Sequence, residues 1–317
     1  MKRIKLIEVK SEIGAGTRGA GMGVDAIKIA SLDFGSSFFN RHETVEVPNE
    51  NKLLFEPCTH DFAKRINAVY SLSERLADQV AKFSREAGTF PVVLAGDHTS
   101  AIGVASGIRM AHPEKKLGIV WIDAHADLHT PYTSPSGNMH GMPIAALLNE
   151  DNKELQINRP AKETIDYWEK IKNLGGICPK IHYEDIVFVS LRDFERQEEY
   201  LLKKHGIRNI TVDELRNRGV ERISEMILTA FEAYDLIYIS FDVDCMDPEI
   251  SKGTGTPVPG GLTEKEAGNL ILHLLKSKKV CCFEIVEINP TLDKENLMAE
   301  NAFEILLKAT NQLVNDF

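Results

Sequence analysis

The segment Trp121-Ile-Asp-Ala-His-Ala-Asp-Leu-His129 follows the apolar run Leu117–Ile122 and places Asp123, His125 and Asp127 at every second position. Alternate residues of an extended chain point the same way. These three side chains, all able to bind a metal ion, therefore leave the end of a predicted strand toward one place. The segment predicts both a buried strand and a functional site at its carboxyl end.

A second segment repeats this arrangement further along the chain. Ser240-Phe-Asp-Val-Asp-Cys-Met-Asp-Pro248 continues the apolar run Leu236–Phe241 and again places two carboxylates, Asp242 and Asp244, at alternate positions. Two such clusters in one chain favour a site for more than one divalent metal ion.

Short apolar runs predict the strands of a sheet, and helical patterns lie between them. Most runs lack alternation of polar and apolar residues, as expected for parallel strands covered on both faces. The predicted strands are Ile4–Val9, Pro91–Ala95, Leu117–Ile122, Ile186–Ser190, Leu236–Phe241 and Val280–Ile288. The predicted helices are Phe62–Ala87, Ile102–Met110, Ser224–Tyr234 and Thr263–Lys276. This alternation predicts an α/β fold with a largely parallel central sheet.

The chain of 317 residues is expected to form a single domain, residues 1–317. An α/β fold of roughly this size often forms one domain, and no internal repeat or low-complexity linker divides the chain. The polar, charged stretch Asn149–Lys180 is interpreted as a surface insertion that contains a short helix, Glu163–Asn173.

Acids and histidines follow five of the predicted strands, at the point where each strand ends. Ligand sites in open α/β sheets lie beyond the carboxyl ends of the strands, so these side chains are expected to converge. The polar segments are Gly96-Asp-His98, Asp123–Asp127, Arg192-Asp193, Asp242–Asp244 and Glu287.

The candidate metal ligands are rich in carboxylates. Six of them stand at the strand ends: His98, Asp123, His125, Asp127, Asp242 and Asp244. Carboxylates with a few imidazoles suit Mn²⁺ or a similar ion, whereas zinc prefers a tetrahedral set of histidine and cysteine. Six ligands exceed the needs of one ion and favour two, bridged by carboxylates and a water that loses a proton near neutral pH. This chemistry favours metal-assisted hydrolysis, and burying so much charge without a partner would be prohibitive.

Composition excludes several classes of protein. The formal net charge of −10 argues against a nucleic acid or an anionic membrane as the main partner. No stretch is apolar for the roughly 18 residues that a membrane span needs, and the first residues become charged again too early for a signal peptide. The five scattered cysteines suit a reducing cytoplasm, which is the expected location.

A glycine-rich motif offers a competing interpretation. Gly14-Ala-Gly-Thr-Arg-Gly19 matches the G-x-G-x-x-G pattern of dinucleotide sites and follows a predicted strand. However, Gly21 and Gly23 continue the loop, so no helix is expected to begin at Gly19 and receive a pyrophosphate. A flexible turn is the simpler interpretation.

The combined motifs resemble the signature set of the ureohydrolases, a superfamily that contains arginase, agmatinase and formimidoylglutamase. The matching segments are Gly96-Asp-His98, Asp123–Asp127, Ser136–Gly141, Ser240–Pro248, Gly253–Pro257 and Glu287–Pro290. The resemblance covers nearly the whole chain. It implies a three-layer α/β/α fold and a binuclear manganese centre. It also implies that one ion is held by His98, Asp123, Asp127 and Asp242 and the other by Asp123, His125, Asp242 and Asp244.

Within the superfamily, the loop after Asp127 most resembles that of arginase. The resemblance implies L-arginine as the substrate and L-ornithine and urea as the products. The implied substrate contacts are His129, Ser134, Ser136, Asn138, Asp193, Glu195, Thr256 and Glu287. Ser134, Ser136 and Asn138 would bind the α-carboxylate or its neighbours, while Asp193 and Glu195 would bind the α-amino group.

The implied mechanism is attack of a metal-bridging hydroxide on the guanidinium carbon. Glu287 would pair with the guanidinium through charge-assisted hydrogen bonds. Asp127 would hydrogen-bond the hydroxide and pass its proton to the departing amine, and His140 would relay protons to or from solvent.

Some features depart from the usual family pattern. His129 stands where most arginases have asparagine, Glu195 replaces an aspartate, and Asn149–Lys180 is longer than usual. These features resemble divergent arginases of some Gram-negative bacteria. An agmatinase, a formimidoylglutamase and a catalytically silent metal-binding protein stay open as alternatives, as do Co²⁺ instead of Mn²⁺ and a homotrimer or homohexamer.

Overall fold

A computed structural model of the chain describes residues 2–315, so Met1, Asp316 and Phe317 of the predicted domain lie outside the described residues. Eight strands form one sheet within this range: β1 Arg3–Val9, β2 Glu43–Glu46, β3 Thr89–Ala95, β4 Leu117–Ile122, β5 Ile186–Val189, β6 Arg208–Ile210, β7 Leu236–Asp242 and β8 Val280–Val286. The strand order is β2-β1-β3-β8-β7-β4-β5-β6, and all of these neighbours pair in parallel.

Helices cover both faces of this sheet. Over the described residues they are α1 Gly23–Asp33, α2 Phe38–Arg41, α3 Ile66–Arg85, α4 Ser100–Ala111, α5 Pro143–Leu148, α6 Lys162–Lys172, α7 Arg196–His205, α8 Val212–Arg218, α9 Val220–Ala230, α10 Glu264–Leu275 and α11 Leu297–Asn315. None of these helices is both long and apolar enough to span a membrane.

Successive strand residues alternate between two hydrophobic cores. Val93 and Trp121 join the core formed with α3 to α7, whereas Val92 and Val120 join the core formed with α1, α2 and α8 to α11. The six inner strands are therefore buried on both faces, which explains why their sequences show continuous apolar runs instead of a polar–apolar alternation. The predicted three-layer α/β/α fold is confirmed.

The predicted strands agree with the observed ones to within two residues at either end. β4 has the predicted bounds, and β8 ends at Val286 because Glu287 has a left-handed backbone, with φ of 65°. The two short edge strands, β2 and β6, were not predicted. β2 is mostly exposed and β6 has only three residues, so neither carries an apolar run.

The stretch Asn149–Lys180 forms part of the helical layer. Its helix α6 begins one residue before the predicted helix and ends one residue earlier. Trp168 on α6 is fully buried, and the helix packs against α3 and α5. The assignment of this stretch as an insertion in a single domain stays a prediction.

The helix α4 begins at Ser100, two residues after His98. The close packing of α4 on α3 therefore helps to position His98. Glycines on α4 allow this approach. A Cβ atom on Gly107 would lie 2.6 Å from the Ala77 carbonyl oxygen and 2.7 Å from Val80 Cβ. The two helices therefore meet where no larger side chain fits.

We expect Gly107→Ala to destabilise the protein by about 1–3 kcal/mol through overpacking, although alanine is the better helix former by about 1 kcal/mol. Urea denaturation measures the change. Gly268→Ala on α10 is the matched control, since its Cβ would lie 3.3 Å from the Ile305 side chain, which can move. Equal midpoints for wild type and Gly107→Ala would contradict this packing.

Candidate metal centre

The candidate centre lies at the carboxyl ends of neighbouring strands. His98 follows β3, Glu287 follows β8, Asp242 ends β7 and Asp123 follows β4. These four strands are consecutive in the sheet order, and β5, which precedes Asp193, is next to β4. The topology therefore brings segments from distant parts of the chain to one edge of the sheet.

One cluster of possible ligands surrounds His98. Its Nδ1 atom lies 3.1 Å from Asp123 Oδ2, 3.2 Å from Asp127 Oδ2 and 3.2 Å from Asp242 Oδ2. The imidazole stacks on Trp121 with ring centroids 4.0 Å apart, and its Nε2 atom lies 2.8 Å from Ser240 Oγ. These contacts fix the ring and direct Nδ1 at the carboxylates.

A second cluster surrounds His125. Its Nδ1 atom lies 2.9 Å from Asp244 Oδ2 and 3.6 Å from Asp123 Oδ1. Asp244 Oδ1 accepts a hydrogen bond from the backbone N–H of Ala124, and the Thr256 hydroxyl donates to Asp244 Oδ2 at 3.3 Å. Asp123 therefore stands between the two clusters.

Burial and mutual repulsion raise the pKa values of several of these acids. Burial and the charge of Asp123 raise the pKa of Asp127 to about 6. Burial, then the charges of Asp244 and Asp123, raise the pKa of Asp242 well above its ordinary value. The buried carboxylates therefore repel one another, and a cation bound among them would offset this repulsion.

The residues present fit a pair of divalent cations. Ligand atoms of His98, Asp123 and Asp127 lie within 4.8 Å of one another, as do those of Asp123, His125 and Asp244. His98 Nδ1 and Asp123 Oδ2 lie 3.1 Å apart but are not aligned for a hydrogen bond, and both are buried without such a partner, which is uncommon for polar atoms in a protein interior. The shared Asp123 joins the groups, and Asp242 lies beside the first.

Glu287 is buried and forms an ion pair with the half-buried His140 next to these clusters. His140 Nδ1 lies 3.0 Å from Glu287 Oε1, which also accepts the backbone N–H of His98 at 2.9 Å. Burial lowers the pKa of His140, but the charge and hydrogen bond of Glu287 outweigh this and raise it to about 9. Burial raises the pKa of Glu287, and the charge of His140 reverses this and leaves it below its ordinary value.

A cavity of about 120 Å³ opens between these groups. It is lined by His98, His125, Asp127, His140, Gly141, Glu195, Asp242, Asp244, Thr256 and Glu287. Asp127 and Glu287 both have left-handed backbone, with φ of 51° and 65°. Such strain in residues other than glycine is concentrated at functional sites.

His129 lies beside the cavity in a third cluster of titratable side chains. Its Nε2 atom lies 2.8 Å from Glu195 Oε2 and 3.5 Å from Glu198 Oε2. The hydrogen bond from His129 lowers the pKa of Glu195 to about 2. His129 and Glu195, the two residues interpreted from the sequence as departures from the usual family pattern, therefore contact each other.

The other predicted substrate contacts lie outside the cavity lining. Ser134 is buried and its Oγ accepts from the backbone N–H of Gly137, whereas Ser136 is exposed. Asn138 Oδ1 accepts from Lys64 Nζ at 3.2 Å. Asp193 is mostly exposed, 3.7 Å from His125 Nε2.

Two buried acids at the site had no role in the sequence-based prediction. Glu198 accepts the backbone N–H groups of Leu128 and Glu195, and burial raises its pKa to about 8. Glu195 and Glu198 form a capping box at the start of α7. Their spacing of three residues is a sequence feature from which this helix start could have been predicted. Asp97 accepts the backbone N–H of Gly14 and lies inside the Gly96-Asp-His98 motif.

The glycine-rich motif packs against this site. A Cβ atom on Gly16 would collide with the Asn138 side chain, and the Gly14 carbonyl accepts the backbone N–H of His140. A 3-10 turn follows Gly19, and α1 begins only at Gly23. The motif thus forms a wall behind Asn138 and His140 and lacks the helix that opens directly at its third glycine in a dinucleotide site.

Comparison with known proteins places the chain in one family. The family model described as "Arginase family" matches residues 2–311. The chain is 34% identical over 314 residues to an arginase of Brevibacillus brevis, a match that covers 96% of each chain. It is 35% identical over 251 residues to arginase-1 of Homo sapiens, covering 78% of this chain and 71% of that protein.

Solved structures give the same result. The native structure of arginase from Bacillus caldovelox superimposes with a TM-score of 0.83 at 31% identity and 98% coverage of both chains. A formimidoylglutamase from Bacillus subtilis shares the fold, with a TM-score of 0.74 at 20% identity and coverage of 98% of this chain and 87% of that one. The chain therefore belongs to the arginase family.

Proposed function

We propose that the protein hydrolyses the guanidinium group of L-arginine to L-ornithine and urea, with two Mn²⁺ ions per chain. The observation that carries this proposal is the pair of ligand clusters that share Asp123, next to the Glu287–His140 ion pair. Family membership over nearly the whole chain supports hydrolysis of a linear amidine.

One ion would be held by His98, Asp123, Asp127 and Asp242, and the other by Asp123, His125, Asp242 and Asp244. The carboxylate-rich set favours Mn²⁺, with Co²⁺ as an alternative. When bound, such ions supply Lewis acidity, which lowers the pKa of water toward neutrality and offsets negative charge as it develops.

Glu287 is the residue that we assign to the substrate guanidinium. Its pKa below the ordinary value keeps the buried carboxylate ionised. Hydrogen bonds from His98 N–H and from His140 hold the carboxylate at the cavity wall. An anionic, fixed carboxylate can form a charge-assisted pair with a guanidinium and orient its carbon toward Asp127.

Proton transfer is assigned to Asp127 and His140. Addition of water to the guanidinium carbon and cleavage of a C–N bond require a proton to pass from the water to the departing amine. Asp127 lines the cavity, where its carboxylate can accept this proton and return it to the departing amine. His140 is partly exposed, and it can exchange protons between the cavity and solvent.

The amino-acid end of arginine is assigned to the loop after β4 and the segment before α7. Ser134, Ser136 and Asn138 would bind the α-carboxylate or its neighbours, and Asp193 and Glu195 would bind the α-amino group. His129 stands against Glu195, and Thr256 lines the cavity beside Asp244, so both are assigned to the substrate pocket.

The cytoplasm is the proposed compartment, and the free thiols of the described cysteines support it. A homotrimer or homohexamer is the proposed assembly. Neither a nucleic acid nor a membrane is proposed as a partner, given the net charge of −10.

A substrate comparison tests the proposed reaction. The Mn²⁺-loaded protein should release urea from L-arginine at least about tenfold faster, in kcat/KM, than from agmatine, a difference of about 1.4 kcal/mol in transition-state binding. It should release no formamide from formimidoylglutamate. Urea from agmatine but none from arginine would overturn the choice of substrate.

His140→Asn should lower kcat for arginine by about 10²-fold, the usual contribution of a positioned acid–base group. Its Mn²⁺ affinity, measured by isothermal titration calorimetry, should stay within about twofold of wild type because His140 is not an assigned ligand. His112→Asn, just beyond the far end of α4, is the matched control and should leave both quantities unchanged. An unchanged kcat in His140→Asn would refute the assigned proton relay.

Asp127→Ala should weaken Mn²⁺ binding and abolish turnover, because this residue is assigned both a ligand and a proton-transfer role. Calorimetry gives the affinity and urea release gives the activity. Near-normal activity in this variant would refute both roles.

A further inference from the structure

The segment 151–158 lies across the substrate loop, which we define as residues 130–138. The Asp151 carbonyl accepts the Thr130 hydroxyl at 2.8 Å, and the backbone N–H groups of Ile157 and Asn158 both donate to the Tyr132 carbonyl at 2.9 Å. We call the segment 151–158 the strap. It belongs to the stretch for which the sequence offered no function.

Asn158 makes the densest set of contacts between the strap and the loop. Its side-chain amide donates to the Ser134 carbonyl at 2.7 Å and to the Pro131 carbonyl at 3.3 Å. Its neighbours Ile157 and Arg159 are exposed, whereas Asn158 is half-buried. A single polar side chain therefore satisfies two backbone carbonyls that lie three residues apart in the loop.

The strap is itself held by neighbouring helices. Asp151 Oδ1 accepts from Trp168 Nε1 at 3.0 Å and from Lys172 Nζ at 2.8 Å, both on α6. Asn152 Nδ2 donates to the Gln197 carbonyl on α7 at 2.9 Å. The strap thus connects α6 with α7, the helix that begins directly after Glu195.

The rest of the loop has separate anchors. The backbone N–H of Lys64 donates to the Gly137 carbonyl at 2.7 Å, and the Lys64 side chain donates to Asn138. The strap therefore forms hydrogen bonds with residues 130–134, whereas residues 137 and 138 are held by Lys64, which precedes α3.

We propose that Asn158 is a positioning residue, which acts through the backbone of residues 130–134 to hold the loop ready for the amino-acid end of the substrate. The inference rests on the proposed function, because the loop carries Ser134, Ser136 and Asn138. Ordering a free loop costs conformational entropy at the moment of binding. A loop that is already fixed avoids this cost, so the strap increases substrate affinity.

The expected effect falls on substrate binding. Among the described residues, Asn158 has no hydrogen bond with an assigned metal ligand, and these ligands lie at or just after strand ends. Loss of two hydrogen bonds should loosen the loop without disturbing the reacting groups. The kinetic signature is a rise in KM at a nearly constant kcat.

Asn158→Ala should raise KM for arginine about tenfold with kcat within about twofold of wild type. Asn158→Asp keeps the shape of the side chain but replaces the donating amide with a carboxylate, which repels the carbonyl oxygens of Pro131 and Ser134. This variant should therefore raise KM at least as much. Asn173→Ala is the matched control, because Asn173 lies in the same stretch and is exposed, and its side-chain amide donates to the Glu169 carbonyl of α6 and not to the loop. An unchanged KM in both Asn158 variants would overturn the proposal.

Hydrogen exchange gives a readout that does not depend on activity. The amides of Thr133 and Ser134 both donate to the Thr130 carbonyl inside the loop. They should exchange faster in Asn158→Ala than in wild type, and Asn173→Ala should not change them. Unchanged exchange would overturn the proposal even with an altered KM. If the wild-type protein released no urea from arginine, the proposed function would fail, and exchange would still decide the role of the strap.

Discussion

Repulsion among buried carboxylates at one edge of a parallel sheet is the constraint on which this structure depends. Asp123, Asp127, Asp242 and Asp244 are all nearly inaccessible to solvent. Burial and neighbouring acids raise the pKa values of Asp127, Asp242 and Asp244. Burying charge without a partner costs several kcal/mol or more. Positive charge among the acids is needed to offset this cost. The imidazoles of His98 and His125 alone leave two buried ligand atoms, His98 Nδ1 and Asp123 Oδ2, without a hydrogen bond.

The surrounding fold holds these acids in place. Parallel strands buried on both faces deliver His98, Asp123, Asp242 and Glu287 to one edge from four consecutive positions in the sheet. Left-handed backbone then turns Asp127 and Glu287 into the cavity. The loops at this edge of the sheet are also held by contacts between distant segments. His129 contacts Glu195, and the strap forms hydrogen bonds with residues 130–134.

Much of this arrangement is predictable from sequence because it is local. The apolar run before Asp123 predicts β4 with the bounds that the structure has. The alternate positions of Asp123, His125 and Asp127 predict that their side chains point toward one site. Other parts depend on contacts between distant segments. His129 and Glu195 are 66 residues apart, and Asn158 lies in a polar stretch with no periodic pattern. Neither contact leaves a local signal. Short edge strands such as β2 also carry no buried face, and so no apolar run.

The metal content of the protein tests the central claim most directly. Protein loaded with Mn²⁺ and freed of unbound metal by gel filtration can be measured by mass spectrometry of the element. Two ions should remain per chain, by the reasoning that two ligand clusters share Asp123. Asp123→Ala should retain less than one, because it removes the ligand common to both. Wild-type protein that retains no more than one ion per chain would contradict the binuclear account.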